Sequence, residues 1–342
     1  MSLLRRILLA VLGPLLLLEA ALAADIQIRP TDAPAGLEAR LRSVPPGTVL
    51  RIAPGLYPQG IQLSELRGTP AAPIRITADP GGAGMEGWRD KKAKAFGEGS
   101  GILLQKASNV VIEGVTIAGF VRGVTLGSCQ DVTIKDSTIT DVSSYGIMSY
   151  RSNGTTIQGN TIERAYNEHG IYISDVAAKI VIAKNTIRDT HINGIHINGA
   201  VAGAVISGNR LERTGSFPTK EGGAGLTLIG GATAPVVEGN RFSHIYGQGI
   251  TLDAPGATIT GNTFEDCSWS AILGLPHGTN LRMTDNVFKD TGVIPLQFPP
   301  GILGSVTASG NRYAANQPVC EVGDGQRKLG LKDWQGMGKD VR

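Results

Sequence analysis

Three of the five histidines in this 342-residue chain, His169, His191 and His196, fall between Tyr145 and Asn198. Tyr145, Tyr150, Tyr172 and Glu168 lie in the same span. The densest stretches are NEHGIYISD, from Asn167 to Asp175, and NGIHING, from Asn193 to Gly199. Imidazole and phenol groups carry protons once neighbours tune their pKa values. Removing the weakly acidic proton beside the carboxylate of a sugar ring needs three groups: a base, an acid, and a donor that stabilises the developing charge. His196 or His169 is expected as base and Tyr172 as partner acid. Asn198, Arg151 or Lys220 is expected to stabilise the carboxylate. Tyr150, Glu168, Asn193 and Asp253 complete the expected binding set.

These residues can cooperate only if segments about one repeat apart share a face. From about Ser100 the sequence repeats a β-branched run introduced by Gly, as in YGIMSYR, HGIYISD and NGIHING, followed by a second run ending in Asn. The asparagines are Asn160, Asn185, Asn209, Asn240, Asn262, Asn286 and Asn311, with gaps of 25, 24, 31, 22, 24 and 25 residues. Short β-branched runs with Gly/Asn turns at this period predict an all-β parallel β-solenoid of roughly 11 coils, with 22–25 residues per coil. No helical crossover fits between the runs, which excludes a doubly wound sheet, and the leucine-rich signature is absent. The asparagines are expected to stack at one turn.

Alternation along a strand sorts the side chains. Ile171, Ile173, Ile195, Ile197, Leu226 and Leu228 should point inward. Thr125, Met148, Tyr172, His196, Thr227, Thr251 and Leu273 should form one outward column. Gly127, Tyr150, Ser174, Asn198, Ile229, Asp253 and Leu275 should form the next. Functional groups occupy only the middle coils. The 31-residue gap holds TGSFPTKEGGAG, an insertion expected to leave as a loop, with Lys220 and Glu221 walling a groove and Phe217 free to stack on a sugar.

The ends divide the chain. Arg5 and Arg6 precede an apolar run, and Ala21-Leu22-Ala23 offers a cleavage site, so residues 1–23 read as a signal peptide and the remainder as exported, periplasmic or extracellular. Residues 24–99 are assigned to an N-terminal cap and first coils, 100–313 to the main repeats, and 314–342 to a capping segment in which Trp334 covers the last coil. Losing Arg5, Arg6 and Glu19 takes the formal charge from +3 to +2, which gives no argument for nucleic acid. No later run is long enough to span a membrane, and a monomer is expected. Cys129, Cys267 and Cys320 show no metal-ligand spacing and are read as buried thiols, with Cys267–Cys320 pairing the alternative. No cofactor is expected. Ca²⁺, the alternative, would need six to eight oxygens, and Asp175, Asp253 and Glu168 are spread over several coils.

The opening PPGTVLRIAPGLYPQGIQL with APIRITAD, and the closing LGLKDWQGMGKD, resemble secreted right-handed parallel β-helix proteins of the pectate-lyase-like superfamily, including the chondroitinase B and alginate lyase family. The resemblance covers nearly the whole chain after residue 23. It implies an extended acidic polysaccharide as partner and a polysaccharide lyase or C5-epimerase as the activity. NEHG is similar to the Asp-Pro-His-Asp signature of alginate C5-epimerases at His169 alone. EHGIYIS is similar to the Gly-His-Gly-Ile segment of polygalacturonases at His169 and Gly170, without that family's paired-aspartate motifs. A hydrolase and a non-catalytic polysaccharide-binding surface therefore stay open beside the lyase or epimerase.

Overall fold

The computed structural model of the chain describes residues 23–341 apart from 81–83, 176, 221, 290–293, 315–317 and 324. Residues 1–22 of the signal peptide expected over residues 1–23, and Glu221, lie outside the described residues.

Each coil contributes one strand to each of three sheets, illustrated by Thr156–Gln158, Thr161–Ala165 and Ile171–Ser174. Successive coils pair in parallel and in register, with Ile157 on Ile182, Ile162 on Ile187 and Ile171 on Ile195. Among the described residues the first sheet holds 12 strands, the second 11 and the third 12, one of which is an antiparallel addition at its end, so the first sheet has one rung more than the roughly 11 coils expected. The extra rung is Asp25–Ile28, which pairs with Val49–Ile52 well before the repeat becomes visible at Ser100. These opening coils lack the turn asparagine, so periodicity does not reveal them.

The turn between the first and second sheets explains the recurring Asn. Its preceding residue takes the left-handed conformation, as at Gly159 (φ 68°) and Gly208 (φ 60°), where Gly carries no Cβ penalty. Each Asn Oδ1 then accepts both the backbone N–H and the Nδ2–H of the Asn one coil earlier, at 2.9 and 3.0 Å for Asn160 on Asn185. Ser137 begins this ladder, and Asp340 closes it by accepting two bonds from Asn311 at 2.9 Å. Every amide in the buried column is thereby paired, which burial demands.

Inside, the aliphatic rows are joined by an offset stack of Phe242, Phe264, Phe288 and Tyr313, with ring centroids 4.8–5.2 Å apart. The helix Pro34–Leu41 buries Leu37 and Leu41 at the N-terminal end. At the other end the helix Leu331–Gly336 buries Trp334, whose Nε1–H donates to Asp340. There Arg327–Leu329 adds an antiparallel strand to the third sheet and covers its edge. All three cysteines are buried and free. No helix among the described residues is long and apolar enough to cross a membrane.

Candidate functional site

The third sheet carries the residues expected to handle protons. Its strands place Tyr172 directly between Met148 and His196, and Ser174 between Tyr150 and Asn198. Thr125, Thr227, Thr251 and Leu273 continue the first column in register. Ile171, Ile173, Ile195, Ile197, Leu226 and Leu228 are fully buried, so both outward columns are as the alternation requires.

The residue before the repeat's Gly forms a third column. Backbone bonds from Gly123 to Tyr145, Gly146 to His169, Gly170 to Asn193 and Gly194 to Ala224 stack these positions coil by coil. The Gly is needed because a Cβ on Gly170 would lie 2.5 Å from Ile187 Cγ2 and 2.7 Å from the Gly194 carbonyl. Close approach of the second and third sheets at this corner turns His169 onto the outer face, beside Tyr172 and His196. Four rings gather there. Tyr145 stacks on Tyr172 at 5.1 Å, His169 packs edge-on against His196 at 4.6 Å, and Tyr172 lies 5.3 Å from His196.

The hydrogen bonds assign the protons. The Asn193 backbone N–H donates to His169 Nδ1 at 3.2 Å, so that nitrogen is an acceptor and the neutral ring carries its proton on Nε2. His169 Nε2 lies 2.8 Å from His196 Nδ1 and donates to it. His196 is therefore protonated on Nε2, and that nitrogen is shielded from solvent without a partner. Burial, reinforced by the neighbouring His196, lowers the His169 pKa to about 3. Burial alone lowers that of His196 to about 4. Both rings are neutral near pH 7.

Glu168 sits at the margin, its Oε2 3.6 Å from His169 Nε2. Burial raises its pKa above the ordinary 4.5, opposed by the charge of His191. Tyr145 is raised by burial and then by Glu168. Tyr172 Oη accepts a bond from the Asn198 carboxamide at 3.4 Å.

The remaining expected site residues divide sharply. His169, expected as a base, is buried with both ring nitrogens engaged, Nδ1 by the Asn193 N–H and Nε2 by His196. Asn193, expected to touch substrate, is also buried. Its Oδ1 accepts the Ala224 N–H at 2.8 Å while its own N–H sets the imidazole tautomer. Tyr150 is on the face, its phenol lying over Gly127, where a Cβ would come 2.5 Å from Oη. Arg151 projects into solvent at the turn beyond Tyr150, 3.6 Å from Asp175. Asp253 accepts the backbone N–H and ring Nδ1 of His277 at 2.9 Å each, well down the solenoid. Lys220 is exposed and lies over the Tyr246 ring at 5.4 Å. Among the described residues no cluster of three His, Cys, Asp or Glu side chains is placed to hold a metal.

A second set of aromatic rings is in contact: Phe217, in the inserted loop, packs on Tyr166 at 5.1 Å, and Phe96, itself stacked on Trp88, lies 5.6 Å from the same ring. The segment 87–96 was not expected to contribute. It precedes the visible repeat, and only its aromatics distinguish it in the sequence. Tyr145 was noted only as part of the cluster, although its place before the Gly aligns it with His169.

The fold is shared with known carbohydrate-acting enzymes. The polygalacturonase from Erwinia carotovora ssp. carotovora superposes with a TM-score of 0.64 at 13% identity, covering 88% of this chain and 95% of that one. An alginate lyase from Paenibacillus sp. gives 0.55 at 14% identity over 87% and 99%. The A-module of an Azotobacter vinelandii mannuronan C-5 epimerase gives 0.55 at 13%, over 87% of each chain. At such identities the likeness is one of fold alone. No curated protein matches the sequence. The right-handed β-helix region family, however, matches residues 92–236 and 193–316, and with its stacked parallel coils this chain belongs to that right-handed β-helix family.

Proposed function

We propose that this protein is an exported enzyme that abstracts the C5 proton of uronate residues in an acidic polysaccharide, as a lyase or a C5-epimerase. One observation carries the reading. A single outer face joins a carboxyl of raised pKa, two phenols and an imidazole whose tautomer is set by the backbone. The enzymes that share the fold include an alginate lyase and a mannuronan C-5 epimerase, which fits the same chemistry.

The network redistributes the roles. His196 offers an N–H rather than a lone pair, so it suits an oxygen that gains negative charge, as a neutral imidazole can. Glu168 is the base, its raised pKa bringing it closer to the strength that carbon acids require. As it takes the C5 proton, the electron pair moves into the carboxylate, whose oxygen accepts from His196 Nε2–H. In a lyase the pair then forms the C4–C5 double bond, the C4–oxygen bond breaks, and Tyr172 protonates the leaving oxygen. In an epimerase C5 is reprotonated from the opposite face. Inverting hydrolysis would instead need two carboxyl groups about 6.5–9.5 Å apart across the bond. Asp175 and Asp253, the other carboxyls expected on this face, are engaged by Arg151 and His277.

Incubation of the mature protein with alginate, pectate and glycosaminoglycans tests this. Ultraviolet absorbance of an unsaturated uronate identifies a lyase, and solvent exchange at C5 without cleavage an epimerase. New reducing ends without absorbance would replace the reading with hydrolysis. Silence in all three assays, with polymer binding unchanged by His196→Ala, would reduce the face to a binding surface.

A further inference from the structure

On the N-terminal side of the ring cluster the third sheet continues into a cavity of about 260 Å³, lined by Gln62, Ser100, Gln105, Arg122, Thr125 and Tyr150 among others. Arg122 is the unusual member. Its Nε is shielded from solvent and has no hydrogen-bond partner, and no carboxylate among the described residues pairs with its guanidinium. Arg151, Arg164 and Arg213 are by contrast matched with Asp175, Asp141 and Asp189.

The fold does not require a cation there. The equivalent positions on neighbouring coils are Ser100 and Tyr145, and Ser100 satisfies itself through Thr125 Oγ1 at 2.7 Å. A desolvated donor without an acceptor is destabilising, so its retention points to an acceptor that arrives with a ligand. Arg122, Tyr145 and His169 occupy one column on successive coils. Arg122 thus stands two strand spacings, roughly 10 Å, from the His169–His196 pair. Its charge reaches Tyr145, where it opposes the rise in phenol pKa.

We infer that Arg122 binds a further carboxylate of the ligand, that of an acidic sugar seated in the cavity beside the ring cluster, apart from the carboxylate that His196 meets. The planar fork of a guanidinium matches a carboxylate through two parallel N–H donors. Gln62, Gln105 and Tyr150 line the rest of the cavity with hydroxyl-compatible groups. The inference rests on the proposed action on uronates for its polymer. It is independent of that reading for the carboxylate itself.

The test uses the ¹⁵N-labelled mature chain, with the Arg122 Nε–H resonance identified by its loss in Arg122→Gln. Oligomannuronate or oligogalacturonate should shift this resonance, while the methyl esters should leave it in place. Arg122→Gln should weaken binding of the responsive oligouronate at least about tenfold, as expected for losing a charged hydrogen bond, and Arg122→Lys should recover part. A resonance unmoved by every oligouronate, or moved equally by the esters, overturns the assignment. So does a larger response to glucose 6-sulfate, or unchanged oligouronate binding by Arg122→Gln. A specific shift with no lyase or epimerase product from any polymer leaves the carboxylate site standing and removes the proton-abstraction reading instead.

Discussion

Two outer faces of the same solenoid treat polar groups in opposite ways. On the second sheet, Thr140, Glu163, Arg188 and Glu212 lie in register, flanked by Asp141, Arg164, Asp189 and Arg213. Their charges cancel locally, with Arg164 Nη2 2.8 Å from Asp141, Arg188 Nη2 2.5 Å from Glu163 and Arg213 Nε 2.7 Å from Asp189. Burial alone would raise the Asp141 pKa, but the bonds from Arg164 hold it below the usual value. The third sheet leaves His196 Nε2 and Arg122 Nε shielded without partners, and burial raises Glu168. A face that answers its own charges is finished by folding, whereas unanswered desolvated donors are what the proposed binding face would offer a ligand.

The contrast can be broken at the proposed active face first. His196→Ala should lower turnover of a responsive uronate polymer by about 10²–10⁴-fold, the usual range for a positioned proton-handling or donor group. His169→Ala should lower it less while leaving polymer affinity nearly intact, because His169 orients rather than touches. Rates from unsaturated-uronate absorbance or C5 exchange measure both. Equal activity in His196→Ala would dissolve the distinction between the faces.

The next effect is on stability. Asn209→Ala removes a buried amide that accepts from Asn185 and donates to Ile182 and Asn240. Leaving those partners unsatisfied should cost on the order of 2–4 kcal/mol, read as a lower denaturation midpoint.

Acidity separates the faces further. Because His169 and His196 titrate at about 3 and 4 when folded, against about 6.5 when unfolded, the unfolded chain binds more protons over the interval between. Their contribution to stability is complete above pH 6.5 and is lost as pH falls towards 4. The activity profile should show no imidazole limb near 6.5. Its acidic limb should belong to Glu168 and lie above pH 4.5. A limb that His196→Gln abolishes near 6.5 would contradict the assigned tautomers.

The smallest effect is expected on the second sheet. Arg213→Ala breaks a half-exposed pair and should change stability by less than about 1 kcal/mol, with turnover unaffected. Loss of activity there would mean that the substrate binds across the wrong face.

Much of this was legible in the residues. A period near 24 with αL-Asn turns forces coils to stack, and stacking forces every outward residue into a column. Tyr172 and His196 therefore had to be neighbours. His169 and Asn193 were harder because they precede the strand, where side-chain direction follows the corner between sheets, and Arg122 because it sits beside a register shift within Phe120–Gly127, where simple alternation fails. Arg151 and Asp253 read as binding groups because nothing in their spacing reveals Asp175 and His277 beside them.

The sequence by itself determined the solenoid, its aliphatic rows, its asparagine ladder and the outward columns, because each follows from local periodicities of two residues and one coil. Only the tertiary structure decided which outward groups are already satisfied. That depends on distances of a few ångströms between residues a coil apart: a backbone N–H aimed at His169 Nδ1, an aspartate beside one arginine, and none beside Arg122 among the described residues.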